Sequence, residues 1–244
     1  MKTILLMLYI TLFTSILFAQ EEVKIKDGRT IIINANGTWE YKQSISKDSR
    51  DQGVYKTVKI GTQIWMTENL NVDRFRNGDL IPEVKTKEEW VAAGKRGNPA
   101  WCYYDNNPEN GKKFGKLYNW YAVNDKRGLA PKGWHIPTYP EFQILGAAVN
   151  NNSNALKAIG QGEKEGAGTN TSGFSALLIS FRNNLGNFSR LGFNTFFWSF
   201  NEFPKEFQAQ PAGAYSMDLW YNDGDFKIGH DDKESGFSIR CVKD

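Results

Sequence analysis

The chain has 244 residues, room for one large domain and a small appendage, and at 40% hydrophobic with 8 Trp, 10 Tyr and 16 Phe it can build a substantial core. Its net charge of +3 is spread over lysines that alternate with acids, too weak and dispersed for a nucleic-acid-binding surface. The 23 glycines and repeated Asn-rich turns exclude a helical bundle and point to a loop-rich body.

The first residues, MKTILLMLYITLFTSILFAQ, carry one Lys, an apolar run from Ile4 to Phe18, and Ala19-Gln20 at a cleavage point. This is the pattern of a signal peptide over 1–19, short for a bilayer span and without a positive flank behind it. The chain is therefore expected to be exported to the periplasm, the cell surface or the extracellular space, and not to span a membrane after cleavage. No Cys follows the run, so no lipid-modified N-terminus is expected.

Residues 20–42 read as a β-meander, with runs at Val23 to Lys26, Thr30 to Ile33 and Thr38 to Tyr41 broken by Asp27-Gly28 and Asn36-Gly37. The polar stretch 43–52 reads as a linker, and 53–244 as the main domain. In VYKTVKIGTQIWMTENL two alternating runs flank Gly61-Thr62 and predict a hairpin. KTKEEWVAAGK sets Thr86 three residues before Glu89, a capping box that predicts a short helix ending at Gly94. GNPAWCYYDNNPENGKKFG reads as a turn-laden loop around a small aromatic strand. In KLYNWYAVND, Leu117, Trp120 and Val123 recur every third residue and predict a helix with one aromatic face.

GWHIPTYPEFQIL, from Gly133 to Leu145, joins two incompatible halves. Gly-Trp-His-Ile-Pro cannot be helical, yet Thr138-Tyr139-Pro140-Glu141 is a second capping box with Pro in the first turn. Phe142, Leu145 and Val149 then line a buried face, and His135 reads as a structural residue of the turn. Residues 150–173 are Asn-, Gly- and Ser-rich and read as a surface loop. Beyond them GFSALLISFRN, RLGFNTFFWSFNE, AYSMDLWYND and GFSIRCVKD read as four strands of an antiparallel sheet beneath two helices. The last strand runs to Asp244, so no separate C-terminal sorting domain is expected.

Export governs how the two cysteines read. In an oxidising compartment Cys102 and Cys241 are expected to form a disulfide, which would close a long loop and stabilise by on the order of 4 to 5 kcal/mol. The alternative is two buried thiols packed as small hydrophobes.

Taken in order, IGTQIWMTENL, WCYYDNNPENGKKFGKLYNWYAV, GWHIPTYPEF, TSGFSALL, FFWSFNE and GFSIRCVKD resemble the Fibrobacter succinogenes major paralogous domain over about Gly53 to Lys243. Six motifs in one order make the resemblance specific. DGRTIIINANGTWEYK resembles, more weakly, a hairpin module at the front of various exported bacterial proteins. The family resemblance implies an α+β, C-type-lectin-like fold: two helices on a twisted antiparallel sheet with long loops, behind the small N-terminal β-meander. In such a fold the Gly133–Pro137 turn would swing the chain between the helices, with Trp134 sealing the junction.

Calcium-dependent lectins of this fold hold the ion with a Trp-Asn-Asp triplet on a late strand. Here Trp220-Tyr221-Asn222-Asp223 carries an extra Tyr, with Asp225, Asp231 and Asp232 nearby as oxygen ligands that a hard cation accepts. No Glu-Pro-Asn or Gln-Pro-Asp precedes it, and Asn-Asp-Gly-Asp is a common turn. The expectation is therefore no metal and no cofactor, with Asn222, Asp223 and Asp225 as the calcium candidates. Neighbouring rings on a strand face opposite sides, so Phe196, Phe197 and Trp198, or Trp220 and Tyr221, cannot all face one core. Trp198, Trp220, Tyr221, Asn222 and Asp223 are accordingly the candidate ligand contacts, unless FFWSF is a strand buried on both sides.

A relative of the fold, the formylglycine-generating enzymes, needs a pair of close cysteines, and the motifs around Cys102 and Cys241 do not match it. H-E-x-x-H, a Gly-rich phosphate loop and G-x-S-x-G are all missing, although no pattern excludes a glycosidic pair of acids. The expected function is an exported, non-catalytic binding protein that takes a glycan or a surface protein through loops between Asn150 and Asp232. The alternatives are a structural or adhesion domain with no sugar ligand, and an enzyme of the formylglycine-generating type.

Overall fold

The computed structural model describes residues 21–26, 30–34, 36–42, 44–47, 54–204 and 213–244, so the leader-like segment 1–19 lies outside the described residues. Two compact units divide the chain, Met1–Lys42 and Gln43–Asp244. In the first, β1 (Glu21–Lys24), β2 (Thr30–Ile33) and β3 (Trp39–Tyr41) form an antiparallel sheet in that order. Asn36 closes the second turn by accepting from the Thr38 amide at 3.0 Å, beside Gly37 at φ +79°. Trp39 remains half exposed, its ring 5.3 Å from Tyr41 and edge-on to it.

The second unit opens with β4 (Ser44–Lys47), β5 (Val54–Ile60) and β6 (Gln63–Met66). β4 corrects the linker reading of 43–52 at residues 44–47, the rest of that stretch lying outside the described residues: it pairs antiparallel with β5, Ser44 opposite Thr57 and Lys47 opposite Val54. Strand pairing uses backbone groups, and a polar sequence is well suited to a sheet edge. The hairpin at Gly61 forms as the alternation predicts, Ile60 opposite Gln63.

Helix α1 (Lys87–Lys95) carries its capping box, the Glu89 amide donating to Thr86 Oγ1 at 3.2 Å, and buries Trp90. β7 (Trp101–Cys102) follows. The loop expected after it contains a helix, α2 (Pro108–Phe114), capped by Asn107 with Pro108 at its start. The aromatic helix expected over Leu117 to Val123 is split. Leu117–Tyr118 form β8 against β7, and only one turn, α3 (Trp120–Val123), is helical. Asn119 makes the break by accepting from the Ala100 and Ala122 amides, which ties the strand end to the helix start.

β9 (Trp134–His135) leads into α4 (Tyr139–Ala148), where both halves of the second capping box are present and Phe142 and Leu145 are buried. Then come β10 (Asn194–Glu202), β11 (Gly213–Trp220), β12 (Lys227–Asp232) and β13 (Val242–Lys243). The late strands do not share one sheet. β10, β11 and β12 make a three-stranded antiparallel sheet, whereas β13 is inserted between β6 and β9 in a five-stranded sheet of order β4-β5-β6-β13-β9. GFSALLISFRN is no regular strand: Ser175 and Ser180 take φ +59° and +65°, which breaks the extended run into isolated bridges. The architecture is thus α+β, with short helices around antiparallel sheets.

Cys102 and Cys241 form no disulfide, which corrects that expectation. Cys102 lies in a cluster with Val84, Trp90, Phe114, Leu117 and Ile179, whereas Cys241 belongs to the larger core with Trp134, Trp198 and Phe237. The two sulfurs are buried in different clusters, and burial pushes the Cys102 thiol up to about 12 against the nearby Arg182 guanidinium, so it stays protonated.

Candidate functional site

The three-stranded sheet has two unlike faces, set by the alternation of side chains and by register. Phe196 opposes Asp218, which opposes Lys227; Trp198 opposes Ser216, which opposes Gly229; Ala214 opposes Asp231. These residues, with Trp220, share one face. Its inner end is core: Trp198 is fully buried, stacks on Phe237 at 4.2 Å and donates from Nε1 to the Tyr118 carbonyl at 2.8 Å. Trp198 is therefore a core residue, which corrects its reading as a ligand contact. β10 is covered on both sides, so Phe196, Phe197 and Trp198 are buried together despite alternating.

The outer end of this face is open. Among the described residues a Cβ built on Gly229 would meet no atom within 4 Å. On the same face stand Asp218, Trp220 and Asp231, all half-buried. Trp220 Nε1 donates to Asp218 Oδ2, and Ser216, itself buried, donates from Oγ to Asp231 Oδ2 at 2.5 Å. Burial raises the pKa of both carboxylates, against the hydrogen bond from Trp220 in one and from Ser216 in the other. Phe181 packs on Phe196 at 5.0 Å on this face, and Asn184 donates to Asp232 at the end of β12 at 2.7 Å. Two desolvated carboxylates beside an indole can accept from hydroxyl or ammonium donors while the ring covers an apolar surface.

The turn after β11 brings the other sequence candidates together. Tyr221 is half-buried and stacks on Phe193 at 4.5 Å, with the Arg190 guanidinium over that same ring. Asn222 is exposed. The Asp223 carboxylate is held by the Lys227 ammonium and by the Asp225 amide, and the Lys227 hydrogen bond is the main cause of its lowered pKa. A calcium ion on Asn222, Asp223 and Asp225 would have to compete with both partners. Among the described residues no group of three or more His, Cys, Asp or Glu side chains is arranged to hold a metal ion.

Behind the turn lies Lys157, fully buried, which the sequence did not mark. Its Nζ donates to the carbonyls of Trp220 and Asp223, each at 2.7 Å. The 150–173 segment is stitched to the turn on both sides: the Ser153 amide donates to Gly224 O and the Glu163 amide to Tyr221 O, both at 2.7 Å. Asp218 and Asp231 were also missed as a pair. Their signal is an Asp two residues before Trp220 in an otherwise apolar strand, and it becomes specific only once register sets Asp231 on the same face.

The sequence model of a family described as Fibrobacter succinogenes major domain matches residues 58–243, and the chain belongs to that family. No curated protein and no solved structure matches the chain. No helix among the described residues is long and apolar enough to cross a membrane.

Proposed function

We propose that this member of the family is an exported, non-catalytic binding module that holds a glycan on the open face of the β10–β11–β12 sheet. The observation that carries the reading is the pair of half-buried carboxylates, Asp218 and Asp231, on one face with Trp220. Burial makes each carboxylate depend on donors, and among the described residues each accepts one side-chain hydrogen bond, where a carboxylate has about four acceptor sites. A sugar offers hydroxyl donors together with an apolar ring face, which suits carboxylates beside an indole.

Export rests on the leader-like first residues. A C-type-lectin-like reading of the fold is supported by the order of elements: a stiff turn, the capped α4, long loops, then late antiparallel strands. A second reading, adhesion to a protein, is favoured by one observation on the opposite face. There Tyr139, Tyr215, Phe203 and His230 join ring to ring, with centroids 4.3, 5.1 and 3.9 Å apart in succession.

The test is a glycan array probed with and without calcium, with bound sugars analysed for cleavage. Binding lost in Asp231→Asn and in Trp220→Ala, with no cleaved product, is the expected result. A blank array in both buffers sinks the glycan reading and favours the protein one, and cleaved product would make the acid pair catalytic.

A further inference from the structure

A buried lysine needs an anionic or strongly polar partner, because an ammonium taken out of water costs several kcal/mol unless it is paired. Among the described residues no salt bridge joins Lys157 to a carboxylate: Asp223, whose charge acts on it, gives its carboxylate to Lys227. What Lys157 does have is a cage of backbone oxygen: Trp220 O and Asp223 O, each at 2.7 Å. A third contact completes the turn, Ser153 Oγ donating to the same Asp223 carbonyl at 3.1 Å. The oxygens of Trp220 and Asp223 thus converge on one point from the two ends of the turn, and a positive charge sits there.

We infer that Lys157 is a built-in cation of this turn, fixing Trp220 and the 220–226 segment in the way a bound metal ion would, so that the ligand face keeps its shape without one. Its functional meaning rests on the proposed ligand face, while the structural claim stands on the geometry alone. The arrangement also explains why the 150–173 loop is ordered against the turn. Lys157 belongs to that loop, and its ammonium is the one charged group that crosses from the loop to the two carbonyls. Burial pulls its pKa down to about 8, against the attraction of Asp223, so the group is charged at neutral pH.

Amide hydrogen exchange on the purified protein tests this without any ligand. Lys157→Met keeps the length and apolar stem but removes the charge. It is expected to lose about tenfold in protection over 150–173 and 220–226 while α1 and β5 stay as they are. In Lys157→Ala, added ethylammonium is expected to restore that protection and ethanol is not. In the unmodified protein a chelator is expected to change nothing in these segments. Wild-type protection in Lys157→Met, equal rescue by ethanol, or loss of protection on chelation would each overturn the inference. Should both variants fail to fold, nitrogen-15 NMR of the unmodified protein decides. A slowly exchanging Lys157 ammonium near neutral pH supports the built-in cation, and one exchanging like a surface lysine refutes it. Because this readout needs no sugar, a blank glycan array would overturn the proposed function and leave the role of Lys157 intact.

Discussion

The Nε2 of His135 lies 2.7 Å from Oε1 of Glu141, across the stretch that turns the chain from β9 into α4. Nδ1 of the same ring lies 2.8 Å from the Asp244 carboxylate. Only an imidazolium donates from both nitrogens, so this geometry belongs to the protonated ring. Glu141 also closes the capping box, accepting from the amide and hydroxyl of Thr138 at 2.8 Å each. The turn that looked like two spliced segments is held at its seam by one histidine.

A pH dependence of stability follows. Burial works to lower the His135 pKa, but the hydrogen bonds that the ring donates to Asp244 and Glu141 outweigh it and raise the pKa above its ordinary 6.5. Glu141 goes the other way: burial raises it, but Thr138 and His135 together hold it below its ordinary 4.5. The histidine contribution is complete below 6.5 and is lost as pH rises through the raised value, while that of Glu141 is complete above 4.5 and is lost as pH falls through the lowered one. The clamp is therefore strongest between these two values. Its side chains are partly exposed, so it contributes at most about 1 kcal/mol. His135→Gln should flatten the alkaline side of a melting-temperature profile, and an unchanged profile would show that the clamp carries no stability.

The cysteines give a second test. With Cys102 and Cys241 in separate clusters and no bridge between them, reductant should leave the melting temperature unchanged. Thiol titration after unfolding in the absence of reductant should count both. A melting temperature that falls by several degrees on reduction would mean that a bridge forms in solution.

How much of this was legible depended on whether the signal was local. The capping boxes at Thr86 and Thr138 and the hairpin at Gly61 are local chemistry, and all three formed where they were expected. Leu117 to Val123 misled because the period of three was carried by residues on either side of Asn119, whose amide side chain caps a helix and so ends a strand. Phe174 to Phe181 misled because apolar content does not report φ, and Ser175 and Ser180 turn the backbone left-handed. β12, Lys-Ile-Gly-His-Asp-Asp, has too little apolar pattern to be seen at all, since it is held by pairing with β11 along a half-open edge. The candidate site fails to show for the same reason. Asp218, Asp231 and Lys157 are far apart in sequence and ordinary singly, and only register and burial make them a site.

Two tryptophans of the same face should separate core from surface. Trp198 is fully buried with its Nε1 satisfied, so Trp198→Ala should cost about 3 to 5 kcal/mol of stability, read by denaturant unfolding. Trp220 is half-buried at the open end, so Trp220→Phe should keep most of the stability and lose ligand. Equal destabilisation by the two would mean that Trp220 is a core residue as well, and would remove it from the ligand face.

Two glycines make the complementary pair. A Cβ on Gly166 would lie 2.3 Å from Tyr221 O and 2.5 Å from the Asp223 amide, backbone that cannot yield without separating the loop from the turn. Gly166→Ala should therefore destabilise by about 1 to 3 kcal/mol, the cost of overpacking. Among the described residues Gly229 has open space where its Cβ would be, and it lies on the proposed ligand face opposite Ser216. Gly229→Ala should be neutral or slightly stabilising, because alanine loses less chain entropy in a strand. Gly229→Leu should fold equally well and block the ligand by filling the space between Asp218 and Asp231. If Gly229→Leu binds as the parent does, the ligand does not lie on this face, and the ring cluster of Tyr139, Tyr215, Phe203 and His230 becomes the surface to test.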